Sequence, residues 1–124
     1  MKTFFLGLKN ELLIAKETGG GYETTSHLKG THPSRLAFDP NDDETLYCST
    51  ISDGLFKSED KGQSWEKIGE NAIHSAKVTA VAVDRNSVVY AGTEPSRLYL
   101  SKDKGSTWEE CRGIQHLPSK ENWA

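Results

Sequence analysis

The side chains best placed for chemistry fall in two stretches of identical spacing. Ser58-x-Asp60-x-Gly62-x-Ser64-Trp65 and Ser101-x-Asp103-x-Gly105-x-Thr107-Trp108 each set one carboxylate between two hydroxyls, with a glycine and an indole beside it. Hydrolysis of a glycosidic bond needs two carboxyls about 5–10 Å apart. Asp and Glu are plentiful in this chain, 18 against 15 Lys and Arg, so pairs can always be found, and the pattern singles out none. The same residues have a second use. An Asp side chain can accept hydrogen bonds from the amides of its own turn. A glycine supplies the positive φ that closes such a turn.

The remaining candidates fail on spacing. The run Asp39-Pro40-Asn41-Asp42-Asp43-Glu44 opens like a calcium loop, with oxygens at Asp39, Asn41 and Asp43. Glu44 then stands where the loop needs Gly and Thr50 where it needs Glu, so it reads as a solvated hairpin tip. His27, His32, His74 and His116 lack metal-ligand spacing and have no Cys partners. Gly19-Gly20-Gly21 is not followed by Lys-Ser/Thr, so it is no phosphate loop and reads as a relaxed form of the Asp-containing turn. Cys48 and Cys111 lie in no Cys-x-x-Cys pattern and read as structural thiols of a reducing, cytoplasmic compartment. No metal or cofactor is expected.

Composition removes further classes. A net charge of −3 without a Lys/Arg run argues against nucleic acid or an anionic membrane surface as partner. The apolar opening Phe4-Phe5-Leu6 stops at Lys9-Asn10-Glu11 with no small-residue cleavage site after it, so it does not read as a signal peptide. No apolar run approaches the roughly 20 residues that span a bilayer.

The two stretches are copies of one unit. Ser58 and Ser101, Asp60 and Asp103, and Trp65 and Trp108 are each 43 residues apart. A further step back of 43 reaches a decayed copy, with Ala15, Glu17, Gly19 and Tyr22 at the Ser, Asp, Gly and Trp places. Tyr90-Ala91-Gly92-Thr93, Tyr47-Cys48-Ser49-Thr50 and Phe4-Phe5-Leu6-Gly7 keep the same offset. Inside each unit, short β-rich runs alternate with turn residues, and nothing reads as a long helix. Four short strands per unit of this length is a propeller blade.

The predicted fold is therefore all-β: four-stranded antiparallel propeller blades, about two and a half of them, in an incomplete ring. Residues 1–30 form a partial blade with the degenerate motif, 31–74 and 75–115 a blade each, and 116–124 a linker to a missing blade. The strands of the second unit are expected at 35–39, 45–50, 55–58 and 64–68. The first unit opens at 3–8 with a second strand and has no inner one.

The Ser/Thr-x-Asp-x-Gly-x-Thr/Ser-Trp motif resembles the Asp box, or BNR repeat, of sialidase-like and sortilin-like propellers and of bacterial glycosyl-hydrolase-like BNR repeat proteins. That resemblance covers nearly the whole chain. It implies that the box joins the third and fourth strands of a blade, away from the axial face, and that Ser58, Asp60, Gly62, Ser64, Trp65, Ser101, Asp103, Gly105, Thr107 and Trp108 are structural. Each Trp would bury about 150–250 Å² between blades. Sialidase activity would need an arginine triad, a Tyr/Glu pair and an Arg-Ile-Pro signature. The signature is absent, and of Arg35, Arg85, Arg97 and Arg112 only Arg35 and Arg97 sit where an axial face is plausible.

The expected function is that of a non-catalytic scaffold, an N-terminal segment of a longer protein. It would bind a protein or glycan through the loops at 26–34 and 71–77. Its partners would be the remaining blades, or further copies of itself. The alternative is a fragment of a carbohydrate-active hydrolase, a sialidase-like glycosidase, whose catalytic residues lie mostly outside this chain.

Overall fold

The structure, a computed structural model, describes residues 2–94 and 96–111. Arg112, His116 and the proposed linker 116–124 lie outside the described residues. The chain runs through eleven strands: β1 (Thr3–Gly7), β2 (Leu12–Thr18), β3 (Gly21–His27), β4 (Pro33–Phe38), β5 (Leu46–Thr50), β6 (Leu55–Ser58), β7 (Glu66–Ile68), β8 (Val78–Val83), β9 (Val89–Thr93), β10 (Arg97–Ser101) and β11 (Glu109–Cys111). They form three antiparallel sheets in the orders β1-β2-β3, β4-β5-β6-β7 and β8-β9-β10-β11. Within each sheet, strands consecutive in sequence pair, so short turns set the topology of each sheet. There is no helix among the described residues.

The sheets stack face to face. Between the second and third lie Tyr47, Leu55, Ile73, Val78, Val81, Val89, Ala91 and Tyr99, all buried. The alternation of β8 and β9 explains this, because Val81 and Ala91 are cross-strand partners on one face. Between the first and second sheets, Leu12 and Ile14 are fully buried and Phe5 meets Phe38 edge-on at 5.3 Å. The inner strands β4 and β8 each carry a register shift near the start, between Pro33 and Arg35 and between Val78 and Ala80. A proline is tolerated at such an irregularity, where its missing N–H costs no ladder bond.

Two details of the first unit differ from expectation. Gly19-Gly20-Gly21 does not make a relaxed version of the Asp-containing turn. Thr18 pairs with Gly21, so Gly19 and Gly20 form a two-residue hairpin between seven-residue strands. With Ala15 and Glu17 at the Ser and Asp places, the hydroxyl and short carboxylate that would close the longer turn are gone. The offset of 43 also slips in β1. Phe5 lies opposite Ile14 as Tyr47 lies opposite Lys57, so β1 aligns with β5 at 42 while β2 aligns with β6 at 43. A slip of one residue exchanges the two faces of a strand. It turns Phe5 rather than Phe4 toward the second sheet.

Candidate functional site

The two motif copies fall between β6 and β7 and between β10 and β11, the third and fourth strands of their sheets. In the first copy, the Ser58 hydroxyl donates to Asp60 Oδ1 at 2.8 Å and accepts from the Gly62 amide at 2.8 Å. Asp60 Oδ1 also takes the Ser64 amide at 2.8 Å, and Oδ2 takes the Ser64 hydroxyl at 2.6 Å. The indole N–H of Trp65 donates to the Gly62 carbonyl at 2.9 Å. The second copy repeats every bond. Ser101 donates to Asp103 at 2.8 Å, the Thr107 amide and hydroxyl donate at 2.8 and 2.5 Å, and Trp108 donates to the Gly105 carbonyl at 3.0 Å.

These donors fix the charge state. Hydrogen bonds from the Ser64 side chain and amide, then from Ser58, hold Asp60 down at about 2. Thr107 and Ser101 hold Asp103 at about 2 in the same way. A carboxylate this acidic, with both oxygens engaged inside its own turn, is a poor proton acceptor near neutral pH.

The glycines close the turns against the preceding sheet. Gly62 has φ 90° and Gly105 φ 91°. A Cβ on Gly62 would lie 2.8 Å from Ile14 Cδ1, and one on Gly105 would lie 2.7 Å from Ile68 Cδ1. The turns need a second left-handed residue that the motif does not specify: Lys61 at 59° and Lys104 at 58°. Trp65 and Trp108 are half-buried: each ring lies over its own turn, and the Trp108 indole also comes beside Gly69.

Sequence reasoning also missed Lys57. Its buried ammonium donates to the Lys104 carbonyl at 2.8 Å and pairs with Glu59 at 3.4 Å, tying β6 to the next sheet's turn. The repeat places Lys57 opposite Leu100 of the next unit, which hides the polar contact from pattern matching.

The calcium-like run is a turn that ties two sheets. Asp39 Oδ1 accepts from the Asn41 amide and the Ser87 hydroxyl, and Asn41 Nδ2 donates to the Arg85 carbonyl at 2.8 Å. Asn41 therefore turns its amide nitrogen, not its oxygen, toward the partner loop. Among the described residues, no group of three or more His, Cys, Asp or Glu could hold a metal ion. The described arginines stand apart. Arg35 is on β4, Arg85 is in the β8–β9 turn, and Arg97 pairs with Glu110 at 2.8 Å across β10 and β11, away from the inner strand.

At the opposite end of the sheets, the connection from β7 to β8 packs beside the β5–β6 turn. The Gly54 amide donates to the Ala76 carbonyl at 2.7 Å, and a cleft of about 290 Å³ opens there, lined by Gly54, Ile68, Gly69, Ile73, His74 and Ala76 among others. The predicted contact loop at 71–77 lies in this wall. The loop at 26–34 is held separately, by Ser34 donating to Val78 O and the His32 amide donating to Ser52.

No family model matches the chain, and no curated protein shows significant similarity to it. Solved structures do, and one of them is described as YCF48 bound to D1 peptide. The likeness has a TM-score of 0.67 at 16% identity and covers 87% of this chain and 36% of that one. This chain therefore spans about a third of that protein's length. At that identity the likeness speaks for the fold alone: the chain folds as consecutive blades of a β-propeller.

Proposed function

We propose that the chain is a segment of an Asp-box propeller that serves as a non-catalytic binding scaffold for a protein or peptide. One observation carries this reading. The two carboxylates best placed by sequence for chemistry, Asp60 and Asp103, have both oxygens occupied within their own turns. The Ser, Asp, Gly and Trp of each box then act together as a clamp between blades. The end of the sheets opposite the boxes is left to bind, and the cleft beside Ile73, His74 and Ala76 is the surface offered there. A solved propeller of similar fold carries a bound peptide, which supports this class of ligand.

The test pans the full chain against a random-peptide phage library and assays it with aryl sialosides and aryl glycosides. Peptides should be recovered whose binding is lost in Ala76→Arg, which fills the cleft while leaving the Ala76 carbonyl in place. No glycoside should turn over. Turnover that vanishes when one carboxylate is replaced would sink the scaffold reading. Selected peptides indifferent to Ala76→Arg would remove the cleft from it.

A further inference from the structure

Loss of the box lengthens the outer strand of the first sheet. In the second and third sheets the box turn takes up residues 59–65 and 102–108, and only three residues pair on its far side, Glu66–Ile68 in β7 and Glu109–Cys111 in β11. Ala15 and Glu17 cannot close that turn. The first sheet uses the Gly19-Gly20 hairpin instead, and β3 pairs with β2 along seven residues without a register shift. Every residue of β3 from Gly21 to Ser26 is exposed. The strand is an outer edge, and among the described residues it pairs with β2 alone.

Edge strands are ordinarily kept from pairing further by shortness, charge, proline or a bulge. The outer strands β7 and β11 are short and carry Glu66 with Lys67 and Glu109 with Glu110. β3 has none of these guards. It contains no proline and no lysine, and its one carboxylate, Glu23, stands opposite Lys16 of β2. The direction of its backbone groups follows from the ladder. The Glu17 amide donates to Lys2 O and the Leu8 amide to Glu11 O, so the odd-numbered residues of β2 face β1 and the even-numbered ones face β3. Gly21, Glu23, Thr25 and His27 answer them. Tyr22, Thr24 and Ser26 therefore turn their N–H and C=O groups outward.

We propose that β3 pairs antiparallel with β3 of a second copy about a two-fold axis at Thr24, joining the two three-stranded sheets edge to edge into one continuous sheet. The strand is self-complementary in this register, and that points to a second copy as the partner. All seven residues of β3 are paired. Thr24 faces Thr24 and Tyr22 faces Ser26, and these are the residues whose outward groups exchange backbone bonds. Hydroxyl pairs of this kind are favourable across strands. Glu23 faces Thr25, so a carboxylate meets a hydroxyl and not its own charge. The adjacent registers that keep the outward groups in phase are poorer. An axis at Glu23 sets Glu23 opposite Glu23, where like charges repel. An axis at Thr25 sets Tyr22 opposite Leu28, which has left the strand at φ 52°. The pairing is independent of the cleft beside Ile73 and of what that cleft binds.

Sedimentation velocity on the full chain across a concentration series tests it, with substitutions at Thr24, whose side chain is exposed. The parent should sediment as two copies at tens of micromolar. Thr24→Pro removes an outward N–H and leaves the ladder to β2 intact. It should keep the parent's circular dichroism and raise the dimer dissociation constant at least about tenfold. Thr24→Lys and Thr24→Glu each set like charges across the axis and should weaken the dimer by a similar factor. Their equimolar mixture should regain a two-copy species, because Lys then faces Glu. Hydrogen exchange should alternate along the strand. The amides of Tyr22, Thr24 and Ser26 should gain protection as concentration rises, while those of Glu23 and Thr25, already bonded to β2, should not change. A parent that stays monomeric at tens of micromolar would overturn the proposal. So would a dimer that survives Thr24→Pro unchanged, which would place the contact on another surface, or a Lys–Glu mixture no better than either variant alone. Alternating protection that does not depend on concentration would mean that a segment of the same chain lies on β3, and it too would overturn the proposal.

Discussion

Gly105→Ala isolates how the box turn presses on the blade before it. The residue sits at φ 91°, and an added Cβ would approach Ile68 Cδ1 to 2.7 Å. The backbone term for a side chain at positive φ is about 1–2 kcal/mol. Overpacking adds about 1–3 kcal/mol. The struck atom is the free end of an isoleucine on a short strand, so the lower end, about 1 kcal/mol, applies. Together these give about 2–3 kcal/mol, a large share of the roughly 5–15 kcal/mol that a domain has. Gly30→Ala is the control, with φ 85° and nothing within 4 Å. It should cost only the backbone term. Ile68→Val removes the struck carbon. Alone it should cost about 0.5–1.5 kcal/mol. In the Gly105→Ala background that cost should nearly vanish, a coupling of about 1 kcal/mol. Urea unfolding followed by tryptophan fluorescence reads each term as a midpoint shift at constant slope. A coupling of zero, or a Gly105→Ala no worse than Gly30→Ala, would show that the turn does not bear on the preceding blade.

Four further outcomes follow from the same contacts. Asp60 and Asp103 are held at about 2 against an ordinary 3.8, so the stability they add is complete above pH 4 and is lost as pH falls toward 2; replacing both by Asn should flatten the thermal midpoint over that window, as a pH series of melting curves would read. Trp108→Ala should cost about 2 kcal/mol, below the 3–5 of a fully buried tryptophan, because the ring is half-buried; a loss beyond 4 in denaturant titration would contradict the packing. Tyr47 is fully buried with no partner for its hydroxyl, so Tyr47→Phe should leave stability unchanged or raise it by up to about 1 kcal/mol, and a clear drop in melting temperature would reveal an interaction not accounted for. Burial pushes the Cys48 thiol up to about 12, so maleimide at pH 8 should label the half-buried Cys111 first and Cys48 only on unfolding, by mass spectrometry.

Much of the fold was legible because the repeat is written in side chains that turns require. Ser, Asp, Gly and Trp recur 43 residues apart, and each makes the same bonds in both copies, so pattern and geometry coincide there. Where those side chains are missing, legibility failed. Without Ser and Asp at positions 15 and 17 the first unit made a tighter hairpin, and its first strand slipped by one residue against the repeat. Apolar residues alone did not fix that register, since Phe4 and Phe5 fit either face of β1 equally well by type.

The contacts between blades were the least legible, for a physical reason. The polar ones among them are made by backbone carbonyls and single polar groups that carry no periodic signature, beside an apolar core between the second and third sheets. Lys57 reaches the Lys104 carbonyl from a place that is Leu100 in the next unit, and Asn41 reaches the Arg85 carbonyl from what reads as a calcium ligand. The Lys57 and Asn41 contacts join the second and third sheets, and Asp39 adds Ser87 to the same seam. The seam between the first and second sheets has a different chemistry. It rests on Phe5, Ile14, Phe38 and the bare Cα of Gly62, almost without polar ties. Polar ties fix a sheet in one orientation, whereas apolar contacts tolerate sliding. The first sheet is therefore held to the second mainly by apolar contact, whereas the second and third are also tied by directed polar bonds.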